Sequence, residues 1–312
     1  MLSIVSLMLA VLLAAFTPVS QANPEKLVLT VDGDVGVWHA PLIVAAAQGF
    51  FNRHNIRLEL KVPGQSDDIY RMMVEGDTDL VLTRQPTLHL HVNRNIPVKR
   101  IGTLIATPLD AVLTLADGPI ATLADLQDRR VGYTGPNVPI VLRALLAKLK
   151  LEDVELVALN PPLGKALLDG RVDAVIDPTR SGERHRLALA GRETQQFYPE
   201  EYGLPLYDEL VIAADRNRLD DPRLRRFMTA LAEATGYLIN HPDKSWTLLT
   251  GQYPELDTPL DRQLWQDLLP RFALRPAALD NNRYKRFAQF LFDHNMITVA
   301  LPVSNYAIEL IE

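Results

Sequence analysis

Cysteine is absent from all 312 residues. That excludes a disulfide framework, a thiolate metal site, a cysteine nucleophile and a lipid anchor built on cysteine. Aromatic residues are sparse at 7%. Basic residues are outnumbered: 32 Lys and Arg stand against 38 Asp and Glu, for a formal net charge of −6. Such a balance lacks the general basic footprint of a nucleic-acid binder. After residue 22 no apolar run approaches the ~20 residues that span a bilayer. Walker A, Gly-x-Ser-x-Gly and His-Glu-x-x-His patterns are all missing. What remains is ordinary for a soluble globular protein, with 47% hydrophobic and 22% charged residues. The length suits about two domains of roughly 150 residues each.

The first residues form a separate unit. Leu2 to Phe16 is almost wholly apolar, and Ser20 and Ala22 put small residues at −3 and −1 of a cut after Ala22. This is the layout of a secretory signal peptide over residues 1–22, although its start has no Lys or Arg. The alternative is an uncleaved anchor, for which the apolar run is short. The expectation is an exported protein that is periplasmic in a Gram-negative source and is not a lipoprotein. The segment carries no charged side chain, so removing it leaves the net charge at −6.

From residue 27 strand and helix signals alternate. Leu27 to Val31 is β-rich, and Pro41 to Gly49 reads as a helix with Pro in its first turn and Gly at its end. Ile56 to Leu60 alternates as a strand. Ser66 to Glu75 reads as a helix capped by Ser66, and Asp79 to Leu82 as a strand. The same order returns at Arg130–Tyr133, Asn137–Leu149, Val154–Ala158, Pro162–Asp169 and Asp173–Ile176. Locally, Val74-Glu75-Gly76-Asp77-Thr78-Asp79-Leu80-Val81 aligns without gaps on Leu168-Asp169-Gly170-Arg171-Val172-Asp173-Ala174-Val175. Two α/β lobes of similar build are therefore expected.

Strand-like stretches near Asp110–Leu113 and Glu209–Ala214 are where the chain passes between lobes. The expected division is 25–112 plus 212–312 for lobe one and 113–211 for lobe two, with hinges near Leu113 and Val211. From Asp221 the pattern is mostly helical, a tail expected to pack back on lobe one. In open parallel sheets ligands bind beyond the carboxyl ends of the strands. That places the candidate site between the lobes. His89-Leu90-His91 shows strand-like alternation and lacks a third ligand for a metal. Arg180, Glu183, Arg184 and Arg186 read as a solvated loop.

Four segments carry a family resemblance. Val31 to Phe51 has an Asp after the first strand, a His opening the first helix and a Gly-aromatic-Phe end. With Glu75–Asp79, Thr122–Gly132 and Glu201–Leu210, it resembles the thiamine-pyrimidine-synthase-like solute-binding proteins, the family that also holds sulfonate and nitrate binders. The Tyr202-Gly203-Leu204-Pro205-Leu206-Tyr207 stretch is similar to the pyrimidine branch. The resemblance covers nearly all of residues 25–240. It implies the α/β, two-lobed periplasmic-binding-protein fold of type II, with two crossing segments and a helical C-terminal tail. It implies a small-molecule solute such as formylaminopyrimidine or hydroxymethylpyrimidine, delivered to an ABC permease and its ATPase by a monomer without cofactor or metal. Alternatives are a sulfonate or nitrate binder, a ligand-sensing subunit of a membrane receptor, or an enzyme of hydroxymethylpyrimidine synthesis. The related enzymes use a cysteine-rich motif, which this chain lacks.

The candidate ligand-binding residues are Asp32, Trp38, His39, Arg84, Thr134, Asn137, Asp177, Tyr207 and Glu209; none is expected to be catalytic. Trp38 can stack a planar ligand or sit at the rim of a core. Family members usually carry Trp directly after the first-strand Asp. Here Gly33 holds that position, so either Trp38 takes over the stacking or the ligand is not a pyrimidine. His39 can donate to a ligand or cap the helix at Pro41. Asp32 can accept a ligand N–H or close an Asx turn. Glu209 suits an exocyclic amine or a hinge salt bridge. Tyr207 can close over a ring or pack half-buried. Arg84 can clamp an anionic group or pair with an Asp across the cleft. Thr134 and Asn137 flank a helix start that can cradle an anion or simply be capped, and Asp177 is open in the same way.

Overall fold

A computed structural model describes residues 23–64, 68–135 and 139–310. The leader expected over 1–22, the Ser66 cap and candidate Asn137 lie outside the described residues. No described helix is long and apolar enough to cross a membrane.

The first lobe opens with β1 (Glu25–Thr30), α1 (Ala40–Ala47), α2 (Phe50–Arg53), β2 (Ile56–Lys61) and α3 (Ile69–Glu75). It continues with β3 (Leu80–Thr83), α4 (Gln85–Asn93) and β4 (Val98–Ile105). The second lobe holds β5 (Ala111–Leu115), β6 (Arg130–Thr134), α5 (Ile140–Leu149), β7 (Glu155–Leu159), α6 (Leu163–Leu168), β8 (Ala174–Asp177), α7 (Gly182–Leu189) and β9 (Thr194–Phe197). The chain then returns through β10 (Leu210–Asp215) to α8 (Pro222–Asn240), α9 (Pro242–Gln252), α10 (Pro259–Leu268) and α11 (Asn281–Asp293).

Two five-stranded sheets result, ordered β2-β1-β3-β10-β4 and β7-β6-β8-β5-β9. They are topologically equivalent. In each, three parallel strands are followed by a fourth-place strand that runs antiparallel to both neighbours. That strand is β10 in one sheet and β5 in the other, and each follows a segment arriving from the opposite lobe. Central β3 is buried throughout, so it reads as one continuous apolar run, whereas edge strand β2 alternates.

The local repeat has a physical cause. Gly76 and Gly170 follow α3 and α6 with φ of 88° and 67°, the left-handed region that ends helices at little cost only for glycine. Asp79 and Asp173 then each accept an N–H from the neighbouring parallel strand: that of Val28, inside β1, to Asp79 at 2.8 Å and that of Arg130, at the start of β6, to Asp173 at 2.9 Å. Each carboxylate also meets an arginine, Arg223 at 2.9 Å and Arg130 at 3.3 Å.

Five readings change in detail. The expected boundaries at 112/113 and 211/212 fall inside β5 and β10, whose hydrogen bonds keep each strand whole within one sheet; the links between sheets are 106–110 and 198–209. The expected helix from Ser66 starts at Ile69, where Asp68 accepts the N–H of Tyr70 and Arg71. The tail does more than extend lobe one. Helices α8 to α10 join its core, but Phe287, Phe290 and Leu291 of α11 pack in the second lobe's cluster, while Tyr284 and Ala288 pack in the first lobe's. His89 and His91 lie on α4 rather than a strand. At i and i+2 they face apart: His89 packs on Tyr306 at 4.7 Å and His91 stacks on Tyr70 at 3.7 Å. The expected loop at 180–186 is largely α7, with Glu183 buried.

Candidate functional site

A cavity of about 290 Å³ lies between the lobes. Lobe one contributes Arg84, Pro86 and Thr87 at the start of α4, where Pro86 sits in the first turn with no N–H to satisfy. Lobe two contributes Thr134 at the end of β6, Ile140 and Val141 at the start of α5, and Ile176 in β8. Asp110, on the first crossing, completes the polar side. The second lobe thus supplies an apolar wall, and the first lobe with the crossing supplies charge.

Arg84 is the centre of that charge. Its Nη1 lies 2.7 Å from Glu209 Oε1 and 3.8 Å from Asp110 Oδ1, and its Nε lies 4.0 Å from Asp32 Oδ2. Three carboxylates thus surround one guanidinium. Glu209 is fully buried, and its other oxygen accepts the Leu109 N–H at 2.8 Å. That bond ties the second crossing to the first. Asp110 is buried and accepts a hydrogen bond from the Tyr207 hydroxyl at 2.7 Å. Asp32 meets His39 Nε2 at 3.2 Å, while His39 Nδ1 accepts the Gly36 N–H at 3.1 Å. This pattern puts the imidazole proton on Nε2, donated to Asp32. A continuous chain therefore runs His39–Asp32–Arg84–Glu209, with Asp110 and Tyr207 as a branch.

Burial and like charge set the ionisation. Burial pushes the Glu209 carboxyl up to about 7, against the pull of Arg84, with Asp110 adding to the rise. The Asp110 carboxyl is raised for the same reason, burial outweighing Arg84 and the Tyr207 hydroxyl. For Asp32 burial also acts upward, but the hydrogen bond from His39 and the charge of Arg84 win, and its pKa falls below the ordinary carboxylate value. Burial lowers the Arg84 guanidinium, yet its three carboxylates more than offset that and hold it charged.

The other candidates are placed as follows. Thr134 lines the cavity. Tyr207 stands behind Asp110, its ring 5.0 Å from Phe287. Trp38 is half-buried against the first lobe's core, edge-on to His39 at 5.9 Å, and is not among the cavity's lining residues. Both Asp177 oxygens serve the chain itself: Oδ1 accepts from the Thr179 N–H and hydroxyl, and Oδ2 accepts the Glu183 N–H at the start of α7. The sequence reading missed Asp110 as a site residue. Its signal was symmetry, since Asp110 immediately precedes β5 as Glu209 immediately precedes β10. The apolar wall of Ile140, Val141 and Ile176 carries no chemical signature and reads only as core.

Two equivalent lobes, each receiving a strand from a crossing segment and together enclosing a small mixed cavity, define the periplasmic-binding-protein fold. Solved structures agree. The alkanesulfonate-binding protein SsuA from Xanthomonas axonopodis pv. citri, bound to MOPS, superposes with a TM-score of 0.69 at 16% identity, covering 92% of this chain and 99% of that one. A profile described as NMT1/THI5 like matches residues 37–245. A protein of Haemophilus influenzae named for thiamine biosynthesis is 38% identical over 290 residues, 92% of each chain. The formylaminopyrimidine-binding protein of Halalkalibacterium halodurans is 27% identical over 85% of this chain and 83% of that one. The chain belongs to the NMT1/THI5-like family.

Proposed function

We propose that this protein is the solute-binding component of an ABC importer and captures an amino-substituted pyrimidine, a thiamine precursor of the formylaminopyrimidine or hydroxymethylpyrimidine type. One observation carries the choice of solute: Asp32, Asp110 and Glu209 gather around the single Arg84. Even with Glu209 partly protonated near neutral pH, acceptor oxygens outnumber the one cation. Such a site matches the N–H groups of an aminopyrimidine and opposes a sulfonate or nitrate. Asp110 Oδ1, 3.8 Å from Arg84, is too far for a hydrogen bond and is the acceptor that we assign to the exocyclic amine. The apolar wall of lobe two then covers the ring, and a volume of about 290 Å³ suits a single ring. The formylaminopyrimidine-binding relative supports the same solute.

Capture and release need lobe motion about 106–110 and 198–209, not chemistry. Export to the periplasm, monomeric action and handover to a permease with its ATPase complete the reading. The test is isothermal titration with formylaminopyrimidine, hydroxymethylpyrimidine, taurine and nitrate. Binding of a pyrimidine that Asp110→Asn weakens about tenfold or more is the expected result. Binding of taurine or nitrate alone overturns the solute, and turnover of any pyrimidine overturns the transport role.

A further inference from the structure

A second, smaller cavity of about 90 Å³ sits at another seam between the lobes, between α7 and α10. Arg180 and Arg184 reach it from lobe two, and Arg271 from the segment after α10. The seam is already latched: Asp267 Oδ2 accepts the Ser181 hydroxyl at 2.6 Å, lies 2.8 Å from His185 Nε2 and lies 3.8 Å from Arg184. Arg180 pairs with Glu200 at 2.9 Å and lies over the Tyr198 ring at 3.8 Å. Its backbone is held at φ 67°, a left-handed conformation unusual for arginine, of the kind that collects at binding sites.

The cations are not balanced. Three guanidiniums face two carboxylates, Asp267 and Glu200, with His185 drawing further on Asp267. Arg271 donates only to neutral oxygens, the Asp267 carbonyl at 3.1 Å and the Thr107 hydroxyl at 3.3 Å, and pairs with no carboxylate among the described residues. Burial and the nearby Arg180 lower its pKa. The buried Arg184 Nε has no hydrogen-bond partner. Arg271, which pairs with no carboxylate among the described residues, and Arg184, whose buried Nε lacks an acceptor, both line this cavity.

We infer that this seam is an anion site that takes a small tetrahedral oxyanion, such as inorganic phosphate or sulfate, between Arg271 on one side and Arg180 and Arg184 of lobe two on the other. The bound oxyanion clamps the two sides together. The site is separate from the pyrimidine cavity, so it stands or falls apart from the solute proposed above.

The test titrates the full chain with sodium phosphate and with sodium sulfate, at ionic strength held constant with sodium chloride, by calorimetry and thermal melting. One saturable site is expected. Arg271→Ala and Arg184→Ala should each weaken it about tenfold or more, Arg271→Lys should retain part of it, and exposed Arg57→Ala on β2 should leave it unchanged. Arg184 is 43% exposed on α7, so its variant tests the site even where Arg271→Ala fails to fold. Absence of saturation, equal weakening by Arg57→Ala, or binding lost in Arg84→Gln but kept in Arg271→Ala each overturns the assignment.

Discussion

Removing Arg84 should cost far more than removing the acid it touches most closely. Arg84→Gln leaves Glu209 fully buried, Asp110 at 8% side-chain exposure and Asp32 at 19%, all without their cation. Breaking a buried pair in this way costs about 3–5 kcal/mol at pH 8. Glu209→Gln leaves Arg84 one-third exposed and still within 3.8 Å of Asp110 and 4.0 Å of Asp32, so its cost is about 1–2 kcal/mol. The two variants should therefore differ by about 2 kcal/mol, read as urea midpoints followed by tryptophan fluorescence. Acid should narrow the gap. Glu209 has a folded pKa of about 7, raised above its unfolded value. A raised carboxyl is favoured by the folded state below the unfolded pKa, and that advantage is lost as pH rises through the folded one. Without Arg84 the folded pKa rises further, so between pH 8 and pH 5 the Arg84→Gln deficit should shrink. Equal costs for the two variants, or a deficit that grows in acid, would refute the view that Arg84 neutralises a buried excess of carboxylates.

Other outcomes follow from the same geometry. Asp79→Ala and Asp173→Ala should each cost about 1–3 kcal/mol by leaving the Val28 or Arg130 N–H unpaired, measured as urea unfolding free energies. Gly170→Ala should cost about 1 kcal/mol, because alanine must enter the left-handed region at φ 67°. Phe287→Ala should cost about 3–5 kcal/mol, since Phe287 is fully buried beside Tyr207. Hydrogen exchange in that variant should rise in both lobes, because α11 joins both cores.

Much of the architecture could be read in advance, and for physical reasons. Helix ends marked by Gly76 and Gly170 and strand starts marked by Asp79 and Asp173 are local devices, so they leave a local signature. Strands β4 and β9 were not resolved from sequence: most of β4 is buried with no alternation, and β9 (Thr194-Gln195-Gln196-Phe197) is mostly polar. His89 and His91 looked like a strand because period 2 over three residues is also met by a helix that buries one ring and stacks the other. At the site, Arg84, Glu209, Asp32, His39 and Tyr207 are each legible singly from their places beside strands and helix starts. Their union was not legible, because it depends on two crossings meeting behind α4. The expected alternative, an Asp paired with Arg84 across the cleft, is not the contact found: the nearest acid is Glu209 of the second crossing, with Asp110 of the first crossing and Asp32 of the same lobe farther off.

That union bears on how a solute can drive closure. Arg84 belongs to lobe one, while Asp110 and Glu209 sit at the ends of the two crossings. The Leu109–Glu209 hydrogen bond already ties the crossings to each other. A donor-rich solute in the cavity competes with Arg84 for Asp110, the partner held at the longer distance of 3.8 Å, before it disturbs the 2.7 Å contact to Glu209. In the importer proposed above, solute binding would therefore rearrange charge at Asp110 before it disturbs Glu209. A ligand can shift lobe geometry only by interacting unequally with the open and closed forms. On the proposed function Asp110 is the acid placed to supply such a difference, because it alone of the three lines the cavity and stands on the first link between the sheets.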